Sequence, residues 1–194
     1  MILEALVTTL SGNGALNIAP MGPEVDGLDP DRFVLKPFRT SQTFRNLVET
    51  RQGVLHVTDD VLLLARAAVG SVDDAPTRPA EVVEGRILLS ASRWYEFRVI
   101  EIDDSSDRTR MEATTVARGR GVDLFGLNRA QHAVVEAAIA ATRLGLLPLE
   151  QVLERYREWA VLVEKTGGPR ERAAFAILEG FVTDRGSERR STSS

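Results

Sequence analysis

The sharpest constraint in this 194-residue chain is a change of pattern at Gly119-Arg120-Gly121. Before it, apolar residues come in short runs divided by turn signals, which is how strands read. After it, they form stripes at helical spacing. Strands first and helices last predict an α+β fold with a mostly antiparallel sheet. Many short strands must protect their edges, and closure into a small barrel does so.

Leu3 to Leu10 reads as a strand, Ser11-Gly12-Asn13-Gly14 as a turn, and Ala15 to Ala19 as the returning strand. Pro20, Met21, Gly22 and Pro23 are expected to stop it, with a loop over 24–31 and a strand over Phe33 to Lys36. Thr40 and Ser41 are N-cap types ahead of a helix from Gln42 to Arg51, and Gly53 is its expected C-terminal stop. Val54 to Thr58 reads as a buried strand closed by Asp59-Asp60, and Val61 to Val69 as a short helix. Residues 70–81 read as a loop, then Val82 to Ser90, Trp94 to Asp103 and Arg108 to Arg118 as strands. In the second of these, Tyr95, Phe97 and Val99 alternate with Glu96 and Arg98, so the acid is expected on the polar face. Asn128 caps a helix to Leu144, Pro148 opens one to Lys165, and Pro169 opens one to Phe181. The division expected is a barrel domain over 1–122, a helical subdomain over 123–184 and a disordered tail over 185–194.

A net charge of -4 and a pI near 5.3 argue against a general nucleic-acid binder, which needs a basic surface. With no cysteine, thiolate catalysis, disulfides and iron–sulfur clusters are excluded, and His56 and His132 alone are too few for an imidazole metal site. No membrane-span-length apolar run and no signal-peptide pattern are found, so a cytoplasmic protein is expected.

Two stretches carry chemistry. In "KPFRTSQTFRN", Lys36 to Asn46, the hydroxyls of Thr40, Ser41 and Thr43 gather with Arg39 at a predicted helix start, where N–H groups and the helix dipole favour an anion. The plain alternative is capping. In "NIAPMG", Pro20 and Gly22 bracket backbone that can approach a heterocycle edge, and Asn17 offers a donor and an acceptor. The plain alternative is a strand end followed by a proline turn. Taken together, a ring site and a phosphate site suggest a nucleotide-like ligand. The glycine-rich loops of Rossmann and P-loop proteins are absent.

Three segments, "LVTTLSGNGALNIAPMG", "FRTSQTFRNLVETRQGVLHVTDDV" and "FGLNRAQHAVVEAAIAATRL", resemble the FMN-binding split-barrel proteins. More narrowly, they resemble the uncharacterised branch catalogued as domain-of-unknown-function family 447, over about residues 2 to 182. The first two segments are shared loosely with flavin reductases; the third belongs to the narrower family. The resemblance implies a six-stranded antiparallel barrel that forms a homodimer, with FMN in a groove at the subunit interface. Asn17, Ile18, Ala19, Pro20, Met21 and Gly22 would border the isoalloxazine through backbone groups. Arg39, Thr40, Ser41 and Thr43 would grip the phosphate, and Asn46 would support that loop or contact the ribityl chain. Beyond Asp60 the chain lacks the reductases' nicotinamide-approaching segments, which puts NAD(P)H reductase activity in doubt. The implied function is a flavin-dependent oxidoreductase of unknown substrate. The rivals are a non-catalytic flavin carrier or electron-transfer protein, a groove that takes a deazaflavin or a pterin of one-carbon metabolism, and an interaction protein with an empty groove. Haem fits least.

The remaining notable residues have structural readings. Asp59-Asp60 reads as the cap of the helix that follows. His56 reads as a satisfied core histidine, Trp94-Tyr95 as core or interface, and Arg118, Arg120 and Arg129 as a solvated basic loop.

Overall fold

The computed structural model describes residues 1–192 apart from Leu28, Ser71 and Asp73, with side chains described to Arg185. The chain forms two compact units. One is Met1–Asp59 with Asp74–Leu124; the other is Asp60–Asp73 with everything from Phe125.

The first unit holds strands β1 (Ala5–Leu10), β2 (Leu16–Met21), β3 (Glu24–Val25), β4 (Arg32–Leu35), β5 (Gln52–Val57), β6 (Thr77–Pro79), β7 (Arg86–Leu88), β8 (Arg93–Asp103) and β9 (Arg110–Arg120), with helix α1 (Gln42–Thr50). Seven strands make one antiparallel sheet in the order β2-β1-β5-β8-β9-β4-β3, and β6 pairs with β7 in a separate hairpin. The register shows how the sheet closes. Ala5 faces Met21 across β1 and β2, and Ile2 faces Glu24 in the same register. So β2 and β3 are one long strand interrupted at Gly22-Pro23. Its first half pairs with β1, and its second half pairs with both Ile2 and β4. Counted this way, six strands close a ring, and the ring is split along the outer edge of β2. This is an antiparallel split β-barrel.

The strand therefore does not stop at Ala19, as the sequence suggested; it runs through Pro20 to Met21, and residues 24 and 25 are strand where a loop was expected. Over its first half the strand has a neighbour on one side only, the one place in a sheet that tolerates a missing N–H. The turn before it is as expected: Gly14 takes φ 83° and donates to Ser11 O at 2.7 Å.

The barrel interior is the inward face of each strand: Val7, Phe33, Leu35, Leu55, Tyr95, Phe97 and Met111 are buried together, with Phe33 edge-on to Phe97 at 5.3 Å. Helix α1 adds Leu47 to that core, and Phe44 packs against it. Gly53 does not end α1. Arg51 does, at φ 57°, while Gly53 lies in β5, where a Cβ would come within 2.8 Å of the Phe97 ring and 2.9 Å of Thr8 O. The glycine is a packing requirement, not a stop signal.

The outer face of β1, β5 and β8 lies under the β6–β7 hairpin, with Val54, Val83, Ile87 and Trp94 as a second apolar cluster. This overturns the expected placement of Glu96, which is fully buried. Both faces of β8 are covered here, and the carboxylate accepts from the N–H groups of Glu81, Val82 and Val83 at 2.7, 2.6 and 2.9 Å. The expected strand over Val82 to Ser90 shrinks to Arg86–Leu88, because residues 81–83 give their N–H groups to this acid.

The second unit holds α2 (Val61–Ala68), α3 (Arg129–Thr142), α4 (Leu149–Thr166) and α5 (Pro169–Thr192). Asp60 caps α2, accepting from Leu63 N at 3.1 Å, and Asn128 caps α3, accepting from Ala130 N at 2.7 Å. Tyr156 on α4 donates to Ala137 O on α3 at 2.7 Å. The two compact units are not contiguous in sequence, whereas the expected division was a single cut at 122. Helix α2 joins the helical unit because Val61, Leu63, Leu64 and Ala65 are buried where it packs on α3 and α5. Helix α5 continues from Phe181 to Thr192, a stretch with no proline, three Arg and one Glu, the last two types being good helix formers. Ser193 and Ser194 lie outside the described residues. Among the described residues no helix is long and apolar enough to cross a membrane.

Candidate cofactor-binding site

The split leaves the outer edge of β2 without a strand neighbour. Its backbone donors and acceptors on that side are open to a ligand edge. Ala19, Pro20 and Met21 sit on it, half-buried. Gly22 follows at the closure point, where a Cβ would meet the Ile2 side chain at 2.9 Å. Barrel closure therefore gives this glycine a reason of its own.

At the other end of β2, Asn17 joins the strand to α1. Its Nδ2 donates to Thr43 Oγ1 at 3.0 Å and to Thr9 Oγ1 at 3.3 Å. Asn46 Nδ2 also donates to Thr9 Oγ1, at 2.9 Å, and Gln42 Nε2 donates to Asn46 Oδ1 at 2.6 Å. Thr9, Thr43 and Asn46 are buried, so this network fixes the first turns of α1 against β1 and β2. A hydroxyl that accepts remains a donor, so Thr43 keeps a proton to offer.

Ser41 is the N-cap, and its Oγ accepts from Phe44 N at 3.1 Å. Thr40 and Arg39 precede it in a turn closed by Ser41 N donating to Phe38 O at 2.9 Å. Both side chains are exposed. Arg45 braces the turn, donating from Nη1 to Thr40 O at 2.8 Å. The structure thus bonds Asn17 to Thr43, links Asn46 to Asn17 through Thr9, and sets Ser41, Thr40 and Arg39 around the same helix end. Ala19 to Gly22 lie further along the strand, apart from that cluster.

One residue at this end is not visible as such in the sequence. The β8–β9 turn docks on the segment before α1: Arg39 N donates to Asp107 O at 3.0 Å, and Thr109 N donates to Pro37 O at 3.1 Å. Arg108 then lies over the Phe38 ring, 5.3 Å from its centroid. About seventy residues separate the two segments, so only strand pairing reveals the neighbour.

The other residues considered have structural partners. Arg118 pairs with Asp31 and with Asp29, the latter at 2.9 Å, and these carboxylates raise its pKa. His56 is buried; its Nδ1 faces Leu6 O at 3.3 Å, and its Nε2 accepts from Leu88 N at 3.1 Å. Burial holds its pKa down at about 3, against a smaller opposing effect of the Leu6 carbonyl. A cleft of about 400 Å³ lies elsewhere on the barrel, between Glu24, Asp26, Arg32, Val34, Arg110 and Glu112. Three of its charged residues are paired within the chain, Glu24 with Lys36 and Arg110 with Glu112. Among the described residues no group of three or more His, Asp or Glu side chains is placed to hold a metal.

Known structures share this architecture. The FMN-bound protein MM1853 of Methanosarcina mazei superposes with a TM-score of 0.79 at 24% identity, over 93% of this chain and 94% of that one. An FMN-binding protein of Thermus thermophilus, with bound 1-cyclohex-2-enone, gives 0.53 at 19% identity over 61% and 70%. The 2-nitrobenzoate 2-nitroreductase of Pseudomonas fluorescens gives 0.51 at 24% identity over 60% and 63%. The last two matches span little more than the share of the chain that the barrel unit occupies. Residues 3–121 match the model of the N-terminal domain of the proteins of unknown function DUF447, and residues 128–180 match the model of their second part. The chain belongs to the DUF447 family.

Proposed function

We propose that this protein binds FMN along the outer edge of β2 and works as a homodimeric, cytoplasmic flavin-dependent oxidoreductase. The observation that carries the reading is the Asn17–Thr43 bond, which anchors the start of α1 at one end of the edge. From Asn17 to Gly22 the strand advances roughly 17 Å at about 3.3 Å per residue. An extended ring, sugar chain and phosphate spans a distance of that order. The donor set suits such a ligand. Arg39 and Thr40 are exposed beside the first-turn N–H groups of α1, which helix geometry leaves without intrahelical acceptors. Thr43 and Asn46 hold that turn in place, and Ala19 to Gly22 present backbone groups to the ring edge. MM1853, of similar fold over nearly its whole length, is FMN-bound.

Bound flavin would supply the redox chemistry, and the chain would orient it and set the electrostatics around it. A second subunit over the open β2 edge would cover the ring's exposed face and exclude water.

A second reading is a non-catalytic flavin carrier or electron-transfer protein. It is favoured by the residues themselves: Asn17, Ala19, Pro20, Met21, Gly22, Thr40, Ser41 and Thr43 include no group that titrates near neutral pH. Absorbance spectra of the purified protein, before and after adding FMN and then gel filtration, test the cofactor. Retention of the flavin's two-band spectrum is expected. A colourless protein that also passes added FMN would overturn both readings. Anaerobic mixing of the loaded protein with NADH and NADPH separates them.

A further inference from the structure

The β6–β7 hairpin is held to the outer face of the barrel in an unusual way. Its two strands have three residues each. Beneath it lie three fully buried polar side chains, one from each of β1, β5 and β8: Thr8, His56 and Glu96. Each bonds hairpin or adjoining backbone. Thr8 Oγ1 donates to Arg86 O at 2.6 Å. His56 Nε2 accepts from Leu88 N at 3.1 Å. Glu96 accepts from Glu81, Val82 and Val83. Five backbone groups between residues 81 and 88 are thus satisfied by side chains of the sheet below.

From this seat we infer that the hairpin is an acid-released cover: protonation of His56 removes the acceptor for Leu88 N–H and opens the segment while the barrel stays folded. The inference is independent of what the β2 edge binds. Its geometric basis is the tautomer. Nδ1 faces a carbonyl oxygen, which requires a proton there, and Nε2 faces an N–H, which requires a lone pair. A second proton on Nε2 would point at the Leu88 N–H, two donors against each other. It would also place a charge in a fully buried site. The charged groups on the elements packed around His56 are Arg93, Glu96, Arg98, Glu101 and Asp103 on β8, of which Glu96 bonds the hairpin backbone, and Arg78, Glu81, Glu84 and Arg86 in the hairpin segment; β1 contributes Leu6 and Thr8, which carry no charge. Glu96 is committed to three N–H groups of the hairpin, Arg78 to Glu81 and the Trp94 ring, and Arg86 to Thr77. Opening frees His56 to bind a proton at its ordinary value, 6.5, in place of about 3 when covered. The sign follows: the closed form is unpenalised above 6.5 and loses stability as pH falls from there toward 3.

The test is amide hydrogen exchange, expressed as protection relative to the intrinsic rate at each pH. Between pH 7 and pH 5, protection over residues 81–88 is expected to fall roughly 25-fold by linkage, while Val7 and Phe97 in the barrel core keep theirs. In His56→Gln, whose amide can offer a donor and an acceptor but does not titrate, the fall should vanish. Hairpin protection that ignores pH in the wild type, or that falls equally in His56→Gln, overturns the inference. Should that variant not fold, the wild-type protein decides by NMR, since His56 and His132 are its only imidazoles. A His56 ring signal that titrates near 6.5 with hairpin protection intact would equally overturn it.

Discussion

Asn17 on β2 and Thr43 on α1 meet through a 3.0 Å hydrogen bond, 26 residues apart in sequence, and no other side-chain pair links that strand directly to the helix among the bonds described. Its removal tests the anchoring of the proposed phosphate end. Thr43→Val keeps the shape and deletes the acceptor. Stability in urea is expected to drop by about 1–2 kcal/mol, and FMN affinity should fall with it. An unchanged unfolding midpoint would show that the bond is worth nothing to the fold.

Arg39 is exposed and, among the described residues, meets no carboxylate. Arg39→Gln should therefore leave stability within about 0.5 kcal/mol of the parent. A charge-assisted bond to phosphate predicts weaker FMN binding by about tenfold or more, with riboflavin binding unchanged. Parallel fluorescence titrations with the two flavins read the difference. Equal weakening of both would move the arginine from the phosphate to the ring.

Glu96 gives its two oxygens to three backbone N–H groups, and Glu96→Gln halves the acceptors and adds two donors with nothing to accept them. A loss of about 1–3 kcal/mol is expected in chemical unfolding. The damage should be local, with amide protection at 81–83 lost first. A protein of parental stability would mean that water replaces the carboxylate at no cost.

Arg51 ends α1 in the left-handed region at φ 57°, and its carbonyl accepts from Val99 N at 2.8 Å. A side chain is disfavoured there and glycine is not. Arg51→Gly should stabilise by about 0.5–1 kcal/mol, seen as a higher thermal midpoint. A lower midpoint would show that the arginine side chain contributes packing that outweighs its backbone strain.

Legibility followed the range of the physics. Caps and turns are local, so Ser41, Asp60, Asn128 and the Gly14 turn could be placed from their immediate neighbours. The cluster at the start of α1 was legible for the same reason. What misled was residue chemistry read without a partner. Pro20 signals a stop unless the strand is known to lie on an edge, and Gly53 signals a helix end unless the Phe97 ring is known to lie above it. Glu96 signals solvent unless both faces of β8 are known to be covered. Arg108 carries no signal at all until strand pairing sets it beside Phe38.

Helix α2 is made early and completed late. Its apolar residues Val61, Leu63, Leu64 and Ala65 are synthesised by residue 65, but the helices that bury them begin at Arg129 and Pro169. At about 5–20 residues per second of synthesis, that surface waits for several seconds to tens of seconds for the helices it packs against. A chain cut after the barrel would leave α2 permanently without the helices that bury it.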